Sequence, residues 1–140
     1  MGASTAKKIL FATSPEKNAG YLLLRIFVGY GFITHGYGKV FKTFSQFAEY
    51  IGSLNVPAPT IAAALAAGAE FFGGILLILG LCTRITSFFL TATMVVAAFI
   101  AHAGAPFAQR ELAFLYLFCS ALFLLKGAGS LSIDNILGKK

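Results

Sequence analysis

Charge is scarce in this chain. Lys, Arg, Asp and Glu together make up 11% of its 140 residues, against about a quarter in an ordinary soluble domain. So few charges exclude a water-soluble globule of this size. With 58% apolar residues and a mean hydropathy of +0.82, the bilayer is the natural solvent. Acidic residues are scarcest, five against eleven Lys and Arg, for a net charge of +6. That excess does not predict a nucleic-acid partner: the cations sit at the ends of apolar runs, with no basic cluster beyond Lys7-Lys8, where membrane proteins use them to set topology. Cysteine is limited to Cys82 and Cys119, with no CxxC, which argues against thiol–disulfide exchange and leaves both as small apolar fillers. The N-terminal stretch MGASTAKKILF carries no cleavable-signal pattern, and Ala6 breaks the myristoylation pattern.

Long apolar runs are plentiful. Four spans stand out, over residues 20–41, 60–81, 84–102 and 111–126, in a single domain covering 1–140. About 20 helical residues cross the hydrocarbon, so the first three qualify outright, whereas only Leu112 to Leu125 of the fourth is free of charge. The fold class expected is all-α, an integral-membrane four-helix bundle joined by short loops. Lys7, Lys8, Lys17, Arg84, Lys126, Lys139 and Lys140 fall on one side, Lys39, Lys42 and Arg110 on the other. The positive-inside rule then places both termini in the cytoplasm, with 1–19 and 127–140 as cytoplasmic tails of a multi-pass membrane protein. In the long connection, Phe41, Phe44, Phe47, Ile51 and Leu54 recur at steps of three or four, predicting a short amphipathic helix on the outer surface. Ala62, Ala66, Ala69, Gly73 and Gly80 form a small-residue stripe on the second span, next to Gly74, expected to pack against a neighbouring helix.

Ionisable groups within these spans are costly, about 2.5–3.5 kcal/mol each on insertion scales, so each is a functional candidate. They are Arg25, His35, Lys39, Glu70, His102 and Glu111. Measured at 1.5 Å per residue from the cytoplasmic end, Arg25 lies at roughly 8 Å and Glu70 at roughly 17 Å. His35 and Glu111 lie near roughly 22 Å, and Lys39 and His102 near roughly 28 Å. Five of the six thus fall in the outer half, as a shared polar pocket requires. Glu70, mid-helix in AAGAEFFGGILL, has no route to water of its own. His35 or Arg25 would serve as its partner, and an interhelical clamp is the alternative to a ligand site. His102 and Glu111 are also consistent with helix-end residues facing water.

FVGYGFITHGYGKVF, Phe27 to Phe41, contains the VGYG of a potassium filter. The threonine before it is missing, and the segment is needed as a span, whose backbone must be helical to satisfy itself in lipid. A dinucleotide loop is excluded because no glycine follows Gly31 at the required distance and no strand precedes it. What remains is Gly29-Tyr-Gly31 and Gly36-Tyr-Gly38, repeating at seven residues as a smooth packing face. No metal, haem or flavin motif is visible, and neither histidine has a second ligand at metal spacing on its helix.

LLRIFVGYGFITHGYGK, then AxxAGAEFFGGILLILGLCTR, then His102, RELAFLYLF and GAGSLSID, taken in this order, resemble the DoxX family of small four-span bacterial membrane proteins from Tyr21 to Ile136. The family's tail often reads Gly-Pro-Gly-Arg where this chain has Ala128 and Ser130. The family is similar to the membrane subunit of a thiosulfate:quinone oxidoreductase. The resemblance therefore implies a component of a quinone-linked oxidoreductase or redox-stress system, with quinone as cofactor and a partner oxidoreductase subunit. Donors for the two quinone carbonyls would come from His35 or His102, Lys39 and Glu70. A non-catalytic scaffold docking a partner or a second copy, and a small-solute or proton path, are the alternatives.

Overall fold

The computed structural model describes residues 19–138. Residues 1–18 of the expected N-terminal tail, and Lys139 and Lys140, lie outside the described residues. Regular structure among the described residues is entirely helical: α1 (Ala19–Phe41), α2 (Phe44–Ser53), α3 (Pro59–Leu79), α4 (Thr83–Val96), a π-helical turn (Ala97–Ala101), α5 (Phe107–Lys126) and a short α6 (Ile133–Gly138). Among the described residues, three helices are long and apolar enough to cross a membrane: α3, α4 with its π turn, and α5. At 23 residues α1 is also long enough, and it carries Arg25, His35 and Lys39 along its length.

The fourth expected span begins earlier than its charge-free stretch. Pro106, with extended ψ, starts α5 at Phe107, so the helix runs for 20 residues and Arg110 and Glu111 lie in its first turns. Arg110 is accommodated there by donating from Nε to the Ala98 carbonyl at 3.0 Å and lying over the rings of Phe99 and Phe114.

Packing runs in sequence order, α1 on α3, α3 on α4 and α4 on α5, whereas the backbones of α1 and α5 stay apart and meet mainly through side chains such as Tyr116. Val28 and Phe32 of α1, Leu77 of α3, Leu90 and Met94 of α4, and Leu117 and Phe123 of α5 form the core. Phe27, Leu65, Phe118 and Leu125 point outward, as lipid-facing side chains do. Without a hydrophobic drive between helices in lipid, close approach must hold the bundle together. A Cβ added at Gly36 would stand 2.4 Å from the Phe71 amide nitrogen, and one at Gly29 or Gly74 would strike the carbonyl of the other at 2.8 or 2.6 Å. The seven-residue repeat is thus the seam on which α1 and α3 meet backbone to backbone.

The other predicted packing positions behave differently. Gly73 packs against Thr86 and Leu90 of α4, and Gly31 receives the Tyr116 phenol of α5. Gly38 meets no atom of another element within 4 Å, because two residues beyond Gly36 it lies about 200° round the helix, on the face away from α3. Ala69, with Ala62 and Ala66, faces a cavity rather than a helix; the buried alanines of α3 are Ala63 and Ala67.

The expected C-terminal tail is part of the fold. Residues 127–138 turn back beneath the bundle, burying Gly127, Ala128, Gly129 and Asp134. Helix α2 forms where the amphipathic pattern placed it, with Ile51 buried, and it packs mainly on α3.

Candidate functional site

The α1–α3 crossing dictates the centre of the site. Gly36 rests on the backbone of Glu70 and Phe71, so Lys39, nearly one turn further on, reaches Glu70 across the seam. The Lys39 ammonium donates to both carboxylate oxygens at 2.7 Å. Glu70 is 2% exposed and the Lys39 side chain 29%. Glu70 is therefore paired with neither of the partners weighed from the sequence. The depth estimate placed Lys39 well above Glu70, but a lysine stem bridges that offset by reaching back along the helix. Nζ also lies 4.9 Å from the centre of the Phe47 ring, which links the pair to α2.

Two cavities flank this ion pair, and Lys39, Glu70, Ala97 and His102 line both. The larger, about 560 Å³, lies between α3 and α4 beneath α2. Its walls are Ala62, Leu65, Ala66, Phe89 and Val96, and α2 roofs it with Phe47, Tyr50 and Ile51. The smaller, about 180 Å³, occupies the gap between α1 and α5. It collects His35, Gln109 and Tyr116 beside the shared polar residues.

The π turn shapes the shared wall. His102 donates its amide to Ala97 O at 3.1 Å, five residues back, and the widened turn frees carbonyls for other partners. Tyr50 of α2 donates its hydroxyl to Ala101 O at 3.2 Å, and Arg110 takes Ala98 O as described above. A π-helical turn inside an α-helix is frequent at functional sites, and here it carries His102 to the edge of both cavities.

Of the six ionisable candidates, Lys39, Glu70 and His102 meet at the wall between the cavities, and His35 joins them from the smaller one. Glu111 is exposed and lines neither cavity. Arg25 is not part of this group. It is 2% exposed and donates to the carbonyls of Ala128, Leu131 (2.8 Å) and Ile78 (3.5 Å). Tyr21 adds a bond to Gly127 O at 2.6 Å. Arg25 thus fastens the C-terminal segment, and the charge that α1 carries there is matched to bare tail carbonyls.

Three residues with defined places went unrecognised in the sequence. Asp134, 1% exposed, accepts the Cys82 and Thr83 amides at 2.7 and 2.8 Å and so caps the start of α4 from 52 and 51 residues away. A capping acid is legible only when it adjoins its helix, and this one does not. Tyr116 and Gln109 carried no signal beyond their polarity within an apolar run. Among the described residues, no three of His, Cys, Asp and Glu gather as metal ligands.

The sequence profile of the DoxX family matches residues 20–103. Pairwise similarity extends further along the chain. It is 37% identical over 134 residues to an uncharacterized protein of Haemophilus influenzae, covering 89% of this chain and 97% of the relative. It is 33% identical over 124 residues to the Bacillus subtilis protein named "Putative oxidoreductase CatD", covering 86% and 90%. It is 31% identical over 128 residues to the Escherichia coli "Inner membrane protein YqjF", covering 89% and 96%. No solved structure matches it. The family profile covers α1 to the π turn and hence both members of the central ion pair, and the chain belongs to the DoxX family.

Proposed function

We propose that this chain is a multi-pass inner-membrane protein that binds a quinone beside the Lys39–Glu70 pair, as a component of an oxidoreductase system. The observation that carries this reading is the placement of that pair on the wall of an apolar chamber of about 560 Å³, within the range of small-molecule and cofactor sites. An ammonium has three donors. Two of Lys39's are held by the Glu70 oxygens, which leaves one for a ligand carbonyl, with His102 on the same chamber for the other. The aliphatic and phenylalanine walls between α3 and α4 suit a ring and an isoprenoid tail entering from the hydrocarbon. The name of the Bacillus subtilis relative agrees with redox work, and that of the Escherichia coli relative with the location.

On this reading α1 is the fourth span. Its 23 residues extend about 34 Å at 1.5 Å each, and carbonyls of the C-terminal segment accept hydrogen bonds from the terminal nitrogens of Arg25. Both termini then face the cytoplasm, as the positive-inside count requires. Electrons reach the quinone from a partner subunit.

The test is extraction of quinone from protein purified in mild detergent, quantified by chromatography against protein content. Wild type is expected to retain quinone, and Glu70→Gln and Lys39→Met to lose it while keeping wild-type helicity and elution volume. A quinone-free wild type that elutes with a stoichiometric partner protein would replace this reading with that of a non-catalytic docking subunit.

A further inference from the structure

The two chambers flanking the ion pair differ in the solvent they suit. Beyond the residues it shares, the larger chamber has only Tyr50 and Thr93 as polar lining. The smaller has the more polar wall of the two, with His35, Gln109 and Tyr116 added to Lys39, Glu70 and His102. It lies where α1 and α5 fail to close on each other. His35, His102 and Gln109 are all exposed at this gap. Three polar side chains left against hydrocarbon would each carry a cost, whereas water in the gap removes it.

From this contrast we propose that the smaller chamber is a water-filled antechamber through which protons reach the Lys39–Glu70 pair, separate from the apolar chamber on its other side. Its volume of about 180 Å³ holds about six waters at about 30 Å³ each, and it has the polar partners that ordered water needs. His35 and Tyr116 are the carriers on its path. Their rings meet edge to face at 5.9 Å, and the Tyr116 phenol lies against Gly31, where a Cβ would stand 1.7 Å from its hydroxyl. Gly31 therefore serves this chamber: any side chain there displaces Tyr116 from the gap. The titratable groups facing the path are His35, Lys39, Glu70, His102 and Tyr116, with Arg110 turned away onto Ala98 O.

The inference deepens the function proposed above, because a quinone site beside a carboxylate needs a proton supply, but its test requires no quinone. Single cysteines replace Ala113 in the smaller chamber and Ala66 in the larger, in a Cys82→Ser, Cys119→Ser background. The protein stays in membrane vesicles and is treated with a charged, membrane-impermeant thiosulfonate from each side in turn. Ala113→Cys is expected to react from one side about a hundredfold faster than Ala66→Cys, the ratio set by excluding a charged reagent from hydrocarbon. A neutral maleimide added after solubilisation in denaturing detergent should label both fully, which confirms that the thiols are intact. Equal rates for the two cysteines, or protection of Ala113→Cys from both sides, would overturn the antechamber. Quinone retention by the parent protein would then still stand as a separate result.

Discussion

The backbone seam between α1 and α3 can be tested with a single methyl group placed at three glycines of one helix. At Gly36 the added Cβ would lie 2.4 Å from the Phe71 amide nitrogen, 2.7 Å from its Cα and 2.9 Å from the Glu70 carbonyl carbon. All three are backbone atoms, so no side chain can rotate away, and the helices must part by about 1 Å to restore a contact near 3.4 Å. Overpacking of this kind costs about 1–3 kcal/mol, and here it should reach the upper end. Parting the seam also draws Glu70 from Lys39, so Gly36→Ala should lose bound ligand together with stability. Gly31→Ala meets only the far end of Tyr116, a side chain that can turn, and should cost about 1 kcal/mol or less. Gly38→Ala meets no other element and should be neutral or gain up to about 1 kcal/mol of helix preference. The assay is unfolding in mixed micelles of increasing dodecyl sulfate fraction, followed by far-ultraviolet circular dichroism. The expected order of stability is 38 above 31 above 36. A Gly36→Ala protein as stable as wild type, or a Gly38→Ala protein as weak as Gly36→Ala, would refute the seam.

Two further perturbations probe other parts of the same structure. For the ion pair, Lys39→Met should destabilise by about 2–4 kcal/mol, since it leaves the buried Glu70 carboxylate without its partner, and Glu70→Gln by less, since the Lys39 ammonium is partly exposed. The double variant should cost less than their sum by at least about 1 kcal/mol, and strict additivity in this cycle would show that the pair is not coupled. For the C-terminal segment, Asp134→Asn loses a charged cap on two α4 amides at a cost of about 1–2 kcal/mol. The same segment should become the first site of limited proteolysis in Asp134→Asn and in Arg25→Met, with quinone retention unchanged. Resistance equal to wild type in both would show that these bonds do not hold it.

Much of the architecture was written in local pattern. The apolar runs located α1, α3, α4 and α5 to within a few residues, and the spacing of Phe44, Phe47 and Ile51 located α2. The start of α5 was misjudged because Arg110 and Glu111 looked like the end of an apolar run; a backbone carbonyl of the π turn accommodates Arg110 instead. The packing glycines were half legible. The seven-residue repeat names two faces: Gly29 and Gly36 lie on the one that meets α3, while Gly31 and Gly38 lie on the opposite one, and only the tertiary structure shows that Gly31 there meets Tyr116 and Gly38 meets nothing. In the same way Ala69 belongs by spacing to a packing stripe, yet it lies where α3 and α4 diverge around a chamber.

The candidate site shows the same division. Cost alone singled out Arg25, His35, Lys39, Glu70, His102 and Glu111, because an ionisable group in an apolar span demands a reason. Composition cannot say which reasons are shared. Arg25 answers to carbonyls of a segment about a hundred residues later, Glu111 lines neither chamber, and Lys39 reaches back to Glu70 past the level that its Cα suggests. Asp134 in GAGSLSID and Tyr116 in RELAFLYLF gave no sign of their partners, since a cap supplied from 51 residues away and a phenol fitted to a distant glycine leave no local spacing. The sequence by itself determined the solvent, the helices and the set of costly residues, because hydrophobicity, period and charge are properties of neighbours along the chain. Only the tertiary structure decided which of those residues meet and what space lies between them. Ion-pair reach and cavity shape depend on where helices cross, and a crossing is fixed by contacts between residues far apart in sequence.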